Sequence, residues 1–259
     1  MSDPIQTERD DRGVVTLWLN NPAHLNALSN GMVVGLCEAI SRLAEDKTCR
    51  AIVLRGRGGV FCAGRDLRDL EALQSAGRDD VAKMYAYMQR MNEVVYHSPH
   101  PTISVVERYA LGIATMIVIW ADIALAEEGA ILGYPEVQHG ITPYGAVPTM
   151  LNAMSQKAML DLLLTGRRID ATEAVRLGIV TRAVPAERLD EHLDAVLADL
   201  LRGSAAAIAK SKQFVRQCET LTYQQGIEAA TDKAILGIGA PEMREGLSGF
   251  LERRRTEEA

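Results

Sequence analysis

The chain has 259 residues, 47% of them hydrophobic and 24% charged, with a formal net charge of −6. That length and balance fit a globular protein of one domain, or one domain with an appendage, able to bury roughly 70–75% of its unfolded surface without disulfides or a metal. Composition excludes long disorder, collagen and coiled coil, and acids outnumber bases 34 to 28, which disfavours general nucleic-acid binding.

Residues 1–15 carry Asp3, Glu8, Asp10 and Asp11 and lack the apolar stretch of an export signal. Cys37, Cys49, Cys62 and Cys218 show neither CxxC nor Cys/His ligand spacing. They read as reduced thiols, so a cytoplasmic protein without a metal site is expected. Val14 to Leu19 is rich in strand formers and runs into a turn at Asn20-Asn21-Pro22. Behind Ser29 the spacing of Val33, Leu36, Cys37, Ile40, Leu43 and Ala44 predicts a capped helix. Ala51 to Leu54 is a short apolar strand, followed by the glycine-rich Gly56-Arg57-Gly58-Gly59. A charged helix is expected from about Asp79 to His97, ended by Pro99 and Pro101, and strands at Thr102–Val106 and Ile123–Ala126. Between those strands, Ala110 to Ala121 is the longest mostly apolar run. It is too short for a bilayer, which takes about 20 residues, and reads as a buried helix. After Gly145 the sequence turns helical, with a short helix at Ala171–Leu177 stopped by Gly178 and a last strand at Val180–Val184. Residues 186–253 read as helices punctuated by Gly203, Gly226 and Pro241. Short apolar strands alternating with helices predict an α/β fold with covered sheets; periodicity leaves one open sheet and a spiral of small ones equally open.

Three segments could hold chemistry. Val60 to Leu67 follows a strand, and the small Ala63 and Gly64 would let a ligand approach the backbone. It is either a tight connection or a backbone N–H aimed at an anion or a polarised carbonyl. Gly56-x-Gly58 lacks the third glycine of a dinucleotide loop. Tyr109 to Ala114 precedes the apolar helix, whose N-terminus would present free N–H groups. Gly133 to Gly145 sets one carboxyl, Glu136, among aromatic and apolar neighbours, where a raised pKa would suit proton transfer. A solvated loop acid is the plainer reading. Cys62 has no Cys–His–Asn/Asp pattern to make it a nucleophile.

These segments, in this order, resemble the crotonase, or enoyl-CoA hydratase/isomerase, superfamily. His24-Leu25-Asn26-Ala27-Leu28 is similar to the family's entry into its first helix, and Phe61-Cys62-Ala63-Gly64-x-Asp66-Leu67 to its FCAGxDL signature. Leu164-Thr165-Gly166-Arg167-x-Ile169-x-Ala171, continuing to Gly178-Ile179-Val180, is similar to its downstream signature, and Glu245-Gly246 to Arg254 resembles its usual end. The resemblance implies a spiral of ββα units over residues 1–195, holding the acyl-CoA site, and a helical oligomerisation region over 196–259. It implies an acyl-CoA thioester substrate, with coenzyme A entering as part of it and no separate cofactor, and a homotrimer or dimer of trimers; the acidic charge and the short apolar run lead us to expect no nucleic-acid or membrane partner. The thioester oxygen would be held by the N–H groups of Arg65 and Ile113, with Glu136 as acid/base. CoA would lie along Ala63, Asp66 and Leu67, close to Leu25 and Ala27, with Phe250 and Arg253 at positions where a neighbouring subunit can touch it.

The departures bear on the reaction. Gly112-Ile113-Ala114 stands where the family usually has three glycines, and Met116 stands where its hydratases have a glutamate. Tyr144 and Val147 replace glycines of the loop after Pro143. One glutamate is similar to members that shift a double bond, so isomerisation or a non-standard hydration of an unsaturated acyl-CoA is expected. A thioester hydrolase and a catalytically weak acyl-CoA-binding or assembly protein are the alternatives.

Overall fold

The computed structural model describes residues 3–240 and, beyond them, 243, 244, 246–248, 251, 254 and 255. Strand β1 (Ile5–Arg9) runs antiparallel to β2 (Val14–Leu19), with Ile5 opposite Leu19. The Asp10 carboxylate turns the chain between them by accepting from the N–H groups of Arg12 and Val14. Helix α1 (Asn30–Glu45) is capped by Ser29, whose Oγ accepts from the Met32 N–H at 3.2 Å. It buries Met32, Val33, Leu36, Cys37, Ile40 and Leu43 along one face. Strand β3 (Ala51–Gly56) leads through residues 57–66 into α2 (Leu67–Gln74) and α3 (Arg78–Tyr96), and α3 packs on α1.

Strand β4 (Thr102–Val106) is buried at every position, as a central parallel strand covered on both faces must be. The apolar run beyond it is not one helix. Tyr109–Leu111 forms a strand, β5, and α4 (Ile113–Trp120) begins only after Gly112. The break is local: Gly112 adopts φ +57, outside the helical region, and donates its N–H to Gly133 O at 2.8 Å. Then follow β6 (Ile123–Glu127), β7 (Ile131–Gly133), a 3₁₀ turn at Pro135–His139, α5 (Ala146–Leu151), α6 (Gln156–Thr165), β8 (Arg168–Asp170), α7 (Ala171–Arg176) and β9 (Arg182–Val184). Strand β9 starts two residues later than expected, because the N–H groups of Ile179 and Val180 turn back to Ala174 O.

The strands form two sheets, one ordered β1-β2-β3-β4-β6-β9 and one ordered β5-β7-β8. Bridges Leu28–Arg65 and Cys62–Ala110 carry the smaller sheet backwards by two rungs. Each turn of chain therefore places one strand in the large sheet, a short one in the small sheet, and then a helix. The result is the α/β spiral of ββα turns. Leu17, Leu28, Leu36, Ile40, Ile52, Leu54, Phe61 and Ile103 are fully buried between these layers, each contributing about 1.5–3 kcal/mol.

The backbone divides into two units, residues 1–198 and 199–259. The boundary falls within α8 (Leu189–Arg202). The second unit continues through α9 (Ala205–Cys218) and α10 (Tyr223–Gly237). Gly203 does separate α8 from α9, but Gly226 lies inside α10. The break comes instead at Thr222, which forms a capping box with Gln225. Pro241 lies outside the described residues.

Candidate active site

Residues 62–66 run between two neighbours. On one side the Cys62 N–H donates to Tyr109 O (2.9 Å) and Cys62 O accepts from the Leu111 N–H (3.2 Å). On the other, the Ala63 N–H donates to Leu25 O (3.0 Å), and Gly64 O accepts from the Leu28 N–H (2.7 Å). The C=O and N–H of a trans peptide point in opposite directions. With Gly64 O held by Leu28, the Arg65 N–H is turned towards the β5 side. The Cys62–Ala110 bridge is parallel and sets residues 62–65 alongside β5, which ends at Leu111, two residues before Ile113. Ile113 opens α4, and Gly112 O accepts from the Met116 N–H along the helix, which turns the Ile113 N–H out of the helix end. Among the described residues neither N–H has an acceptor. Close approach is a condition of this register: a Cβ on Gly64 would stand 2.9 Å from Leu111 O.

Glu136 sits in the 3₁₀ turn begun by Pro135 and closed by the Ile141 N–H donating to Glu136 O at 3.0 Å. A Cβ on Gly112 would collide with Glu136 Oε1. The carboxyl group therefore lies against the residue that precedes the free Ile113 N–H. Oε2 is buried and has no hydrogen-bond partner among the described residues. Burial raises the pKa of Glu136 above the ordinary carboxylate value, opposed by its own backbone N–H and by His139. Half-buried Met116, one turn into α4, brings its methyl to 3.3 Å from a Cβ built on Gly145. An apolar thioether thus lies between α4 and the loop beyond Pro143.

The other expected positions fall into two groups. Leu25, in the left-handed region at φ 52, and Leu67 are exposed apolar side chains flanking half-buried Ala27 and Ala63. Asp66 is committed to structure: it caps α2, accepting from the Arg68 N–H at 3.0 Å and from its guanidinium at 2.7 Å. The Arg68 guanidinium chiefly pulls its pKa down to about 2. Phe250 and Arg253 lie outside the described residues. Burial pushes the Cys62 thiol up to about 12, which removes it as a nucleophile at neutral pH. Tyr144 and His139 are exposed. The Arg65 guanidinium turns away to Leu28 O (3.0 Å) and Asn30 Oδ1 (2.6 Å), so only its backbone is in play.

Asn26 escaped the sequence reading as a site residue. It is fully buried at φ 53, its Oδ1 accepts from the Asn21 N–H (2.8 Å), and its Nδ2 donates to Arg57 O (2.9 Å) and Val60 O (2.6 Å). This side chain fixes the loop that delivers residues 62–65. Its signal was weak: asparagine is the residue, after glycine, that tolerates a left-handed turn.

Comparison with known proteins agrees with this architecture. The family model for enoyl-CoA hydratase/isomerase matches residues 9–257. The chain belongs to the enoyl-CoA hydratase/isomerase family. An enoyl-CoA hydratase of Mycobacterium smegmatis superposes with a TM-score of 0.92 at 30% identity, covering 97% of both chains. An enoyl-CoA hydratase/isomerase from Marinobacter aquaeolei gives 0.91 at 29%, again over 97% of each. The 2,3-dehydroadipyl-CoA hydratase of Escherichia coli is 28% identical over 93% of both chains. Fold and family are thereby fixed, and the crotonase spiral is the scaffold on which residues 62–66, α4 and the Glu136 turn meet.

Proposed function

We propose that this crotonase-family enzyme acts on an unsaturated acyl-CoA thioester and moves its double bond. In this reading the N–H groups of Arg65 and Ile113 hold the thioester oxygen and Glu136 carries the proton. Starting from a β,γ-unsaturated acyl-CoA, the Glu136 carboxylate takes a proton from the carbon beside the thioester. The electron pair left behind spreads onto the thioester oxygen, where each N–H contributes about 3–4 kcal/mol to the developing charge. Protonated Glu136 then returns the proton to the far end of the conjugated system, giving the α,β-isomer. One carboxyl acts first as base and then as acid, and water takes no part.

The observation that carries this reading is the half-buried Glu136 carboxyl lying against Gly112, next to the Ile113 N–H, which like that of Arg65 has no acceptor among the described residues. Burial raises the pKa of Glu136, and its own backbone N–H and His139 oppose the rise. Met116, whose methyl lies against Gly145, is a thioether that can neither orient nor deprotonate water. Hydration is the second reading, favoured by the names of the relatives. CoA would lie along Leu25, Ala27, Ala63, Asp66 and Leu67, where exposed Leu25 and Leu67 flank half-buried Ala27 and Ala63. We propose further that residues 199–259 assemble the chain into a trimer or a dimer of trimers.

The test is a panel of α,β- and β,γ-enoyl-CoA thioesters followed by mass spectrometry and chromatography. Isomerisation gives a new peak at equal mass, water addition a heavier product, and thioester hydrolysis free CoA; a pure binder leaves the panel unchanged. In Glu136→Gln, turnover is expected to fall at least about 100-fold with acyl-CoA affinity little altered. Near-normal turnover would refute the role.

A further inference from the structure

Two of the buried side-chain polar atoms that lack a hydrogen-bond partner among the described residues lie two positions apart, the Tyr134 hydroxyl and Glu136 Oε2. Buried polar atoms in folded proteins are nearly always partnered, and an orphan calls for a reason, catalytic use among them. Tyr134 is fully buried at the end of β7. Packing alone would be served by phenylalanine, which brings no hydroxyl to desolvate. Pro135 stands between the two residues and locks its own φ. Burial, and after it the charge of Glu136, raises the pKa of the Tyr134 phenol.

We propose that Tyr134 is a positioning residue for Glu136: with acyl-CoA bound, its hydroxyl donates to Oε2 of the ionised carboxylate and leaves Oε1, the oxygen beside Gly112, facing the substrate carbon. This rests on the reading of Glu136 as proton carrier. Hydrogen bonds of this kind are often long in the free enzyme and tighten with substrate. Few other charges compete. His139 acts on Glu136, and Glu136 acts on Tyr134. Helices α4 and α5 and strands β5 and β7 carry no charged residue. Lys157 and Asp161 of α6 and Arg168 and Asp170 of β8 are exposed, and Arg167 pairs with Asp161 and Glu173.

Tyr134→Phe keeps the ring and removes the donor. The probe is a β,γ-enoyl-CoA, and the measurement is kcat against pH, which reports groups in the substrate complex. Loss of a donor to the anion is expected to move the acid limb up by about one pH unit. It should also lower kcat about tenfold with KM changed less than about twofold. A ring-fluorinated tyrosine at position 134, a stronger donor of nearly the same shape, is expected to move the limb down. A hydroxyl that merely packs predicts a higher Tm for Tyr134→Phe and an unmoved limb, and that result overturns the proposal. Should the phenylalanine variant fail to fold, the fluorinated protein decides, and an unmoved limb there is equally fatal. Glu136→Gln run alongside separates the two claims. Turnover surviving in that variant sinks the reading of Glu136, whereas an inactive Glu136→Gln beside an unmoved Tyr134→Phe limb sinks the role of Tyr134 alone.

Discussion

A carboxyl group that must first take a proton and then give it back works best when its two forms are close in free energy near the working pH. Glu136 is brought towards that condition by burial, which penalises its charged form. The same burial opposes folding. In the unfolded chain the group ionises at its ordinary pKa; in the native protein it does so only at a higher one. Below the ordinary value both states are protonated and the group costs nothing. As pH rises through the ordinary value and then through the raised one, the unfolded state binds fewer protons and stability is lost. Glu136→Gln, which cannot ionise, is therefore expected to melt higher than the parent at pH 8. The difference should vanish near pH 4, where the carboxyl is protonated in both states. Thermal melts of both proteins at the two pH values check this, and a gap that ignores pH would show that the carboxyl is not desolvated.

At the level of elements, the site depends on where α4 begins. Gly112 holds φ +57 and leaves no room for a side chain on its Glu136 side. Gly112→Ala is expected to lose about 2 kcal/mol through strain and the displaced carboxyl, and to cut turnover more than about tenfold, since a 1 Å misplacement suffices. Gly59→Ala is the control: φ is also positive, at +68, but nothing lies within 4 Å. Equal damage to turnover in both variants would remove Gly112 from the argument. The same junction shows what the sequence could and could not disclose. Strands β2, β3, β4 and β6 and helix α1 were readable because each is long enough to show a period or a run, and Ser29 marks the start of α1. Strands β5, β7 and β8 have three residues each, too few for any period, and β5 merges into the apolar run of α4. The site was legible as three separate segments. Their convergence rests on the Cys62–Ala110 register, a pairing between distant parts of the chain that no local pattern encodes. The family resemblance supplied that link; the residues alone left Glu136 as a loop acid.

For the molecule as a whole, the two units are built unequally. Residues 1–198 enclose a core of parallel strands, but α9 and α10 bury no residue among those described. Tyr223, Ile235, Leu236 and Ile238 are exposed, with Leu236 at 80%. Tyr223, Ile227, Ala230, Ala234 and Ile238 fall at helical spacing along one side of α10. Scattered apolar residues on a surface need no explanation, but a run of them along one side of a helix does. Association of identical copies, closed by rotational symmetry, covers such a face without leaving a new one open. Light scattering on the intact protein is therefore expected to give three or six chain masses at micromolar concentration. Replacing Tyr223 and Ile227 together by aspartate places two charges on that face, so the mass should drop towards one chain. The melting transition of the spiral should survive, because its core lies in residues 1–198. A single-chain mass for the parent, or an unchanged assembly in the double variant, would mean that this helical face serves something other than self-association.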